Sequence, residues 1–360
     1  MKSRVSFYDV AKALGIISIV IGHCHPDIRV VRFVYSYHLA IFFFISGLQF
    51  DINKYSGNPF WLLQKRAQSM WPGFFGYLTF FTVTHNLSQE LGLIAGEANY
   101  AKFDILRRTL NNFLFSGTET LGGAMWFVPV MLGAALIFGA VIWFGHTYFY
   151  RYRMAVTSLC CCAIGAVGVY CNLHGKYLSM NLHTALILMP FMLIGALLSY
   201  NQIDLQKVFR VIPAIVCLAF TCWITLGRGI LINLAAAQIG SALLFYPLSI
   251  CGIYAMCTFA KFIDRSETLS KAFAFVGRHS FDIMALHFIV FKIIDLCYAN
   301  LIGEESFSRF PYAFFNLWPL YTAFSICLIP WVRVGLGKLY AASKTVAQKC
   351  FGSHCEKSLK

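Results

Sequence analysis

The residues best suited to chemistry lie near the start of the chain, in the stretch Asp9-Val-Ala-Lys12-Ala-Leu-Gly-Ile-Ile-Ser-Ile-Val-Ile-Gly22-His23. On a helix, Lys12 and His23 fall within about 20° of each other and about 16 Å apart along the axis. Asp9 precedes Lys12 by three positions, which suits an ion pair on the same face. One stripe would thus carry a charge pair at one end and, at the other, an imidazole able to take or release a proton near neutral pH. Gly22 would let a backbone or a substrate approach His23 closely. A second histidine, His38, lies in Tyr35-Ser-Tyr-His38-Leu-Ala-Ile-Phe-Phe-Phe-Ile-Ser46-Gly47. A short turn over 25–32 would bring it to the depth of His23. The alternative is plain: an interfacial charge pair, and histidines satisfied by neighbouring carbonyls.

Further along, Lys65 and Arg66 precede Trp71-Pro72 and could grip a phosphate or anchor the chain at a membrane surface. Trp126 opens a later apolar run, where tryptophan commonly marks the membrane interface. His287 is a single histidine within an apolar run and fits either a core or a site. Lys292 and Asp295, three apart, are expected to pair. His85 and His183 read as structural.

These residues need elements to hold them, and the composition says which. Of 360 residues, 59% are hydrophobic, 12% charged and 17% aromatic, with 35 Phe. That is about half the usual charge of a soluble domain, too little polar surface to cover a globule of this size. We read an all-α integral membrane protein of about ten spans in one bundle, near 10–25, 33–50, 71–87, 124–145, 154–171, 182–200, 211–227, 239–260, 281–301 and 313–334. The segment 228–238 could be re-entrant or part of either neighbouring helix. The polar connection 88–123 is long enough for a lid or small cap and has amphipathic stretches around 103–115. No internal repeat is visible, which weakens a transporter or flippase reading, the main alternative.

The net charge of +14 is spread in short stretches between apolar runs, so it points to a bilayer rather than to nucleic acid. Counting Lys and Arg gives about twenty on the side of the N-terminus against about eight opposite, which predicts both termini in the cytoplasm. The first span has no clear cleavage site and is expected to be retained. We divide the chain into a membrane domain over 1–340 and a basic cytoplasmic tail over 341–360. Most of the 13 cysteines lie in apolar runs and read as small hydrophobes. The tail motif Cys350-Phe-Gly-Ser-His354-Cys355 is only half a metal site, and no metal is expected.

Taken in order, these motifs resemble the membrane acyltransferase-3 family, and within it the fucose 4-O-acetylase-like subset. The resemblance rests on Asp9, Lys12 and Gly22-His23; on Tyr37-His38 before a Phe-rich run ending in Ser46-Gly47; on Lys65, Arg66 and Pro72; on Trp126-Phe127; and on Gly277, Arg278, Ser280 and His287. It departs at Leu39-Ala40, where relatives usually have Met-Pro, and at Lys12, where Arg is frequent. Lysine keeps the charge and loses bidentate phosphate binding. The extracytoplasmic hydrolase-like domain of some members is not expected here.

The resemblance implies a multi-pass O-acyltransferase of a cell membrane, with a bacterial cytoplasmic membrane as the expected setting. It would move an acyl group, usually acetyl, from cytoplasmic acyl-CoA to a hydroxyl of an extracytoplasmic or lipid-linked carbohydrate. Acetyl-CoA is then a substrate, and no permanently bound cofactor is expected. Catalysis would fall to His23 and His38. Asp9, Lys12, Lys65, Arg66, Trp126 and His287 would bind substrates. Coenzyme A held by the basic residues would have to reach about three helical turns to present its thioester to His23.

Overall fold

The computed structural model describes residues 6–94, 96–303 and 309–355, with side chains described through Leu339. The lysines and arginines outside those limits, and the Cys350–Cys355 motif, lie beyond the described side chains. Among the described residues the fold is all-helical, apart from one isolated antiparallel bridge between Asn233 and Gln238.

Sequence punctuation sets the first helices. Helix α1 (Ser6–Cys24) stops at Pro26, where a helix would lose a donor and clash. Asp27 then caps α2 (Ile28–Tyr35), its carboxylate accepting from the Arg29 backbone N–H at 2.8 Å. The expected second span does form over Ile28–Leu48, but it is broken at residues 36–39 before α3 (Ala40–Leu48). The break needs no proline. Ser36 Oγ donates to the Phe33 carbonyl at 2.7 Å, and the Tyr37 and Ser18 hydroxyls bond at 2.9 Å. Ser18 Oγ itself donates to the Leu14 carbonyl, so Tyr37 is the donor to Ser18, and the break is tied to α1.

The remaining long helices are α4 (Pro59–Val83), α5 (Lys102–Phe113), α6 (Phe127–Tyr148), α7 (Arg153–Leu173), α8 (Leu182–Tyr200), α9 (Val211–Cys222), α10 (Ala242–Asp264), α11 (Glu267–Arg278), α12 (Ser280–Ile302) and α13 (Trp318–Cys355). Eight stretches of the described residues are long and apolar enough to cross a bilayer: Ser6–Cys24, Ile28–Leu48, Gly123–Tyr148, Tyr150–Leu173, Ser179–Tyr200, Ala242–Asp264, Ser280–Ile302 and Phe315–Leu339. The other two expected spans differ in kind. Val211–Gly227 is apolar but shorter, ending in a π-helical turn over Trp223–Gly227. The stretch 71–87 is not a helix of its own. It is the later part of α4, which Asn58 caps and Pro59 opens, and which ends at Thr84.

Leu159, Ile212, Leu243 and Leu301 are each more than 70% exposed, a pattern that suits acyl chains and not water. The protein is a multi-pass membrane protein. Among the membrane-span candidates, helix α1 is the most enclosed, packed by α2, α3, α10, α11, α12 and α13.

Candidate functional site

At one end of α1, Lys12 Nζ lies 3.9 Å from the buried Asp9 carboxylate, the pairing that the three-residue spacing predicts. At the other end stands His23. Its Nδ1 is 2.9 Å from Nε2 of His287 on α12, with the two rings nearly parallel at 7°. His287 is fully buried, and its Nδ1 lies 3.0 Å from the carbonyl oxygens of both Ile283 and Met284.

This geometry fixes the proton positions of the neutral rings. Carbonyl oxygens only accept, so Nδ1 of His287 carries the hydrogen. Nε2 of His287 then has a lone pair and accepts from Nδ1–H of His23. What remains on His23 is Nε2, with its lone pair available as a base. Phe288 lies 5.0 Å from the His23 ring and 4.1 Å from the His287 ring, and Phe310 packs on Phe288. The pair is therefore wedged from one side by aromatic rings.

His38 sits within the break of the second span, where Nδ1–H donates to the Val34 carbonyl at 3.1 Å. Its Nε2 is likewise left as an acceptor. Tyr35 stands between the two histidines, stacked on His38 at 4.6 Å and edge-on to His23. The room expected beside Gly22 is taken by this tyrosine: a Cβ there would clash with the Tyr35 ring. Tyr35, rather than a substrate, makes the close approach.

His23, His38, Tyr35, Trp126, Asn233 and Met284 line a narrow cavity of about 30 Å³. Trp126 arrives on the 3-10 turn Gly123–Trp126, and its indole N–H has no acceptor among the described residues. Asn233 arrives on the 228–241 segment, which is irregular rather than helical. A 3-10 turn over Leu234–Ala236 and a left-handed Ala237 fold the chain back so that Asn233 and Gln238 pair. Sequence reading did not single out Asn233. The available signal was an amide in an otherwise apolar run. Its Oδ1 accepts from the Ala236 N–H, so the amide NH2 is the end of the side chain with hydrogens to give.

The remaining candidates lie elsewhere. Lys65 and Arg66 belong to α4, within the helix and not in a loop before it. Lys65 and Lys54 stand 5.8 and 4.6 Å from the centre of the Trp61 ring. Helix α4 packs on α5 and α6, whereas Lys12 rides on α1 among α10 and α11, so the three basic residues come from separate parts of the bundle. Gly277 of the late motif serves packing: a Cβ there would meet the Asp9 carbonyl oxygen, so glycine brings α11 against the start of α1. Lys292 and Asp295 do pair, at 3.1 Å and fully buried, with Tyr321 and the Ala313 N–H also on the carboxylate.

His85 has more company than its sequence context suggested. It is stacked on Tyr100 at 3.5 Å and lies 3.8 Å from the Glu119 carboxylate. Thr82 donates to Glu119 at 2.7 Å, and Arg108 covers the Tyr100 ring at 4.1 Å. Burial pushes the Glu119 carboxyl up, against the pull of Thr82, Arg108 and His85. This cluster ties the 85–119 connection together and anchors the segment that leads to Trp126.

Two hydrogen-bonded histidines at the edge of a cavity within a helical membrane bundle form an arrangement able to take up and release a proton. The acyltransferase 3 family model, described as an acyltransferase domain, matches residues 5–334, and the chain belongs to that family. It is a multi-pass membrane acyltransferase. No curated protein and no solved structure matches the chain.

Proposed function

We propose that the protein transfers an acetyl group from cytoplasmic acetyl-CoA to a hydroxyl of an extracytoplasmic or lipid-linked carbohydrate, in the manner of the fucose 4-O-acetylase-like subset. The observation that carries this reading is the relay from the Ile283 and Met284 carbonyls through His287 to His23, which leaves Nε2 of His23 as a base. Both termini would face the cytoplasm. Lys12, held by Asp9, together with Lys65 and Arg66 would meet the phosphates of coenzyme A at that side. The pantetheine arm would run beside α1 toward the cavity.

In the reaction, His23 Nε2 takes the proton of the acceptor hydroxyl as its oxygen attacks the thioester carbonyl. The tetrahedral intermediate needs donors at its oxyanion. The indole N–H of Trp126 and the amide of Asn233, both lining the cavity, would supply them. Collapse breaks the carbon–sulfur bond, and His23 returns its proton to the departing coenzyme A thiolate. His287 holds the ring of His23 throughout, as the orienting third group does in other nucleophile–base arrangements. His38, an acceptor at Nε2, suits a second hydroxyl of the acceptor better than an oxyanion.

The test is acetyl transfer from labelled acetyl-CoA to the carbohydrate of membranes that contain the protein, with donor binding followed separately by thermal shift. His23→Ala should bind donor and lose transfer by about 10³-fold. Wild-type transfer by an abundant His23→Ala protein would overturn the assignment. A chain that binds no acetyl-CoA in any form would remove the donor.

A further inference from the structure

Helix α5 (Lys102–Phe113) has two unlike faces. On one, Asn112 donates to Thr82 at 3.0 Å, and Arg108 lies 3.8 Å from the Glu119 carboxylate. On the other, Phe103, Leu106, Leu110, Phe113 and Leu114 are all more than half exposed. At helical spacing these five fall within about 100° of arc. Lys102 and Arg107, both exposed, fall at the two edges of that arc. The helix is not an outlying loop element. Its start is fixed beside Asn86, which bonds Tyr100 through both amide groups. Its end lies beside Trp71, whose indole donates to the Phe113 carbonyl at 3.0 Å, and Phe75. Helix α5 therefore leans along the outer part of α4, spanning the levels of residues 71–86.

We infer that this stripe is a lipid-contact surface, with Phe103, Leu106 and Leu110 among the acyl chains and Lys102 and Arg107 at anionic phosphate headgroups. Two observations choose lipid over a second copy of the chain. The stripe lies beside α4, which at 25 residues is long enough to cross a bilayer. The charges at the two edges of the stripe, Lys102 and Arg107, are both basic, with Asp104 3.7 Å from Arg107 on the side away from the stripe, and a self-complementary contact would set the two like charges against each other. The inference does not depend on the reaction proposed above.

Photo-crosslinking tests it. A benzophenone amino acid is placed at Leu106 or Leu110 of the full chain in nanodiscs of phosphatidylethanolamine and phosphatidylglycerol at three to one. Ile293, exposed on α12, serves as the positive control, and Lys271 as the aqueous control. Mass spectrometry should find phospholipid adducts at Leu106 and Leu110 at yields like that of Ile293, and none at Lys271. In the Lys102→Gln, Arg107→Gln chain, the phosphatidylglycerol share of the adducts should fall about twofold or more. Adducts at Ile293 without adducts at Leu106 and Leu110 would overturn the inference, as would cross-linking of those positions to a second copy. An unchanged lipid share in the double variant would remove the role of the basic pair.

Discussion

The two ends of α1 are built on different principles. The Asp9–Lys12 pairing is local: two residues three positions apart on one helix make it, and the spacing alone predicts it. The His23 end is made at long range. It draws on α1, on the break between α2 and α3, on the turn before α6, on the folded-back 228–241 segment and on α12. A binding contact can be specified by spacing alone. A base with a defined free nitrogen needs a partner that fixes its tautomer, and here the partner comes from the far end of the chain.

Mutations should separate the two ends. The largest effect is expected for His23→Ala, a loss of transfer of about 10³-fold with protein level and donor binding unchanged, measured by acetyl transfer beside thermal shift. His287→Phe keeps a ring in place and removes the acceptor for Nδ1–H of His23. It should lower kcat by about 10²-fold with little change in donor KM, and a change confined to KM would show that His287 is not an orienting group. Trp126→Phe removes the indole donor and keeps an aromatic wall. A fall in kcat of about 10²-fold is expected, and unchanged kinetics would discard the oxyanion role. At the local end, Lys12→Ala should raise donor KM by about tenfold at constant kcat, with partial recovery in Lys12→Arg. If Lys12→Ala instead abolishes kcat, the division between the ends fails.

The smallest effect belongs to the turn that closes the His23 end. Side-chain hydrogen bonds from Arg29, followed by its backbone N–H, hold the exposed Asp27 carboxyl down at about 2. The ordinary value for a free aspartate is about 3.9, so this contribution to stability is complete above about pH 4 and is lost as pH falls toward 2. Asp27→Asn should melt about 1 °C lower than wild type at pH 7, with the two curves converging near pH 2. A gap that widens in acid would contradict this sign.

The sequence made the local end legible, along with much of the long-range one. The Lys12–His23 stripe and the placing of His38 near the depth of His23 rested on helical spacing and on the cost of polar groups in apolar runs, whereas Trp126 was chosen through the family resemblance. What stayed hidden depended on contacts between distant segments. Neither pattern nor composition brings His287 to His23 across 264 residues. The break over 36–39 follows from Tyr37 bonding Ser18, since no proline or glycine marks it. The extent of α4 was missed because its polar start, with Gln64, Lys65 and Arg66, lacks the apolar signature on which span recognition relies. Asn233 was missed because one amide in an apolar run is indistinguishable from a turn residue until the fold-back is seen.

The distance in sequence between His23 and His287 also has a consequence for biogenesis. Chains enter the membrane from the N-terminus as they are synthesised. His23 is made 264 residues ahead of the helix that aligns it. A chain cut before α12 contains His23, His38, Trp126 and Asn233, yet lacks the group that sets which nitrogen of His23 is free. The orientation of this ring is therefore completed only after α12 has packed against α1.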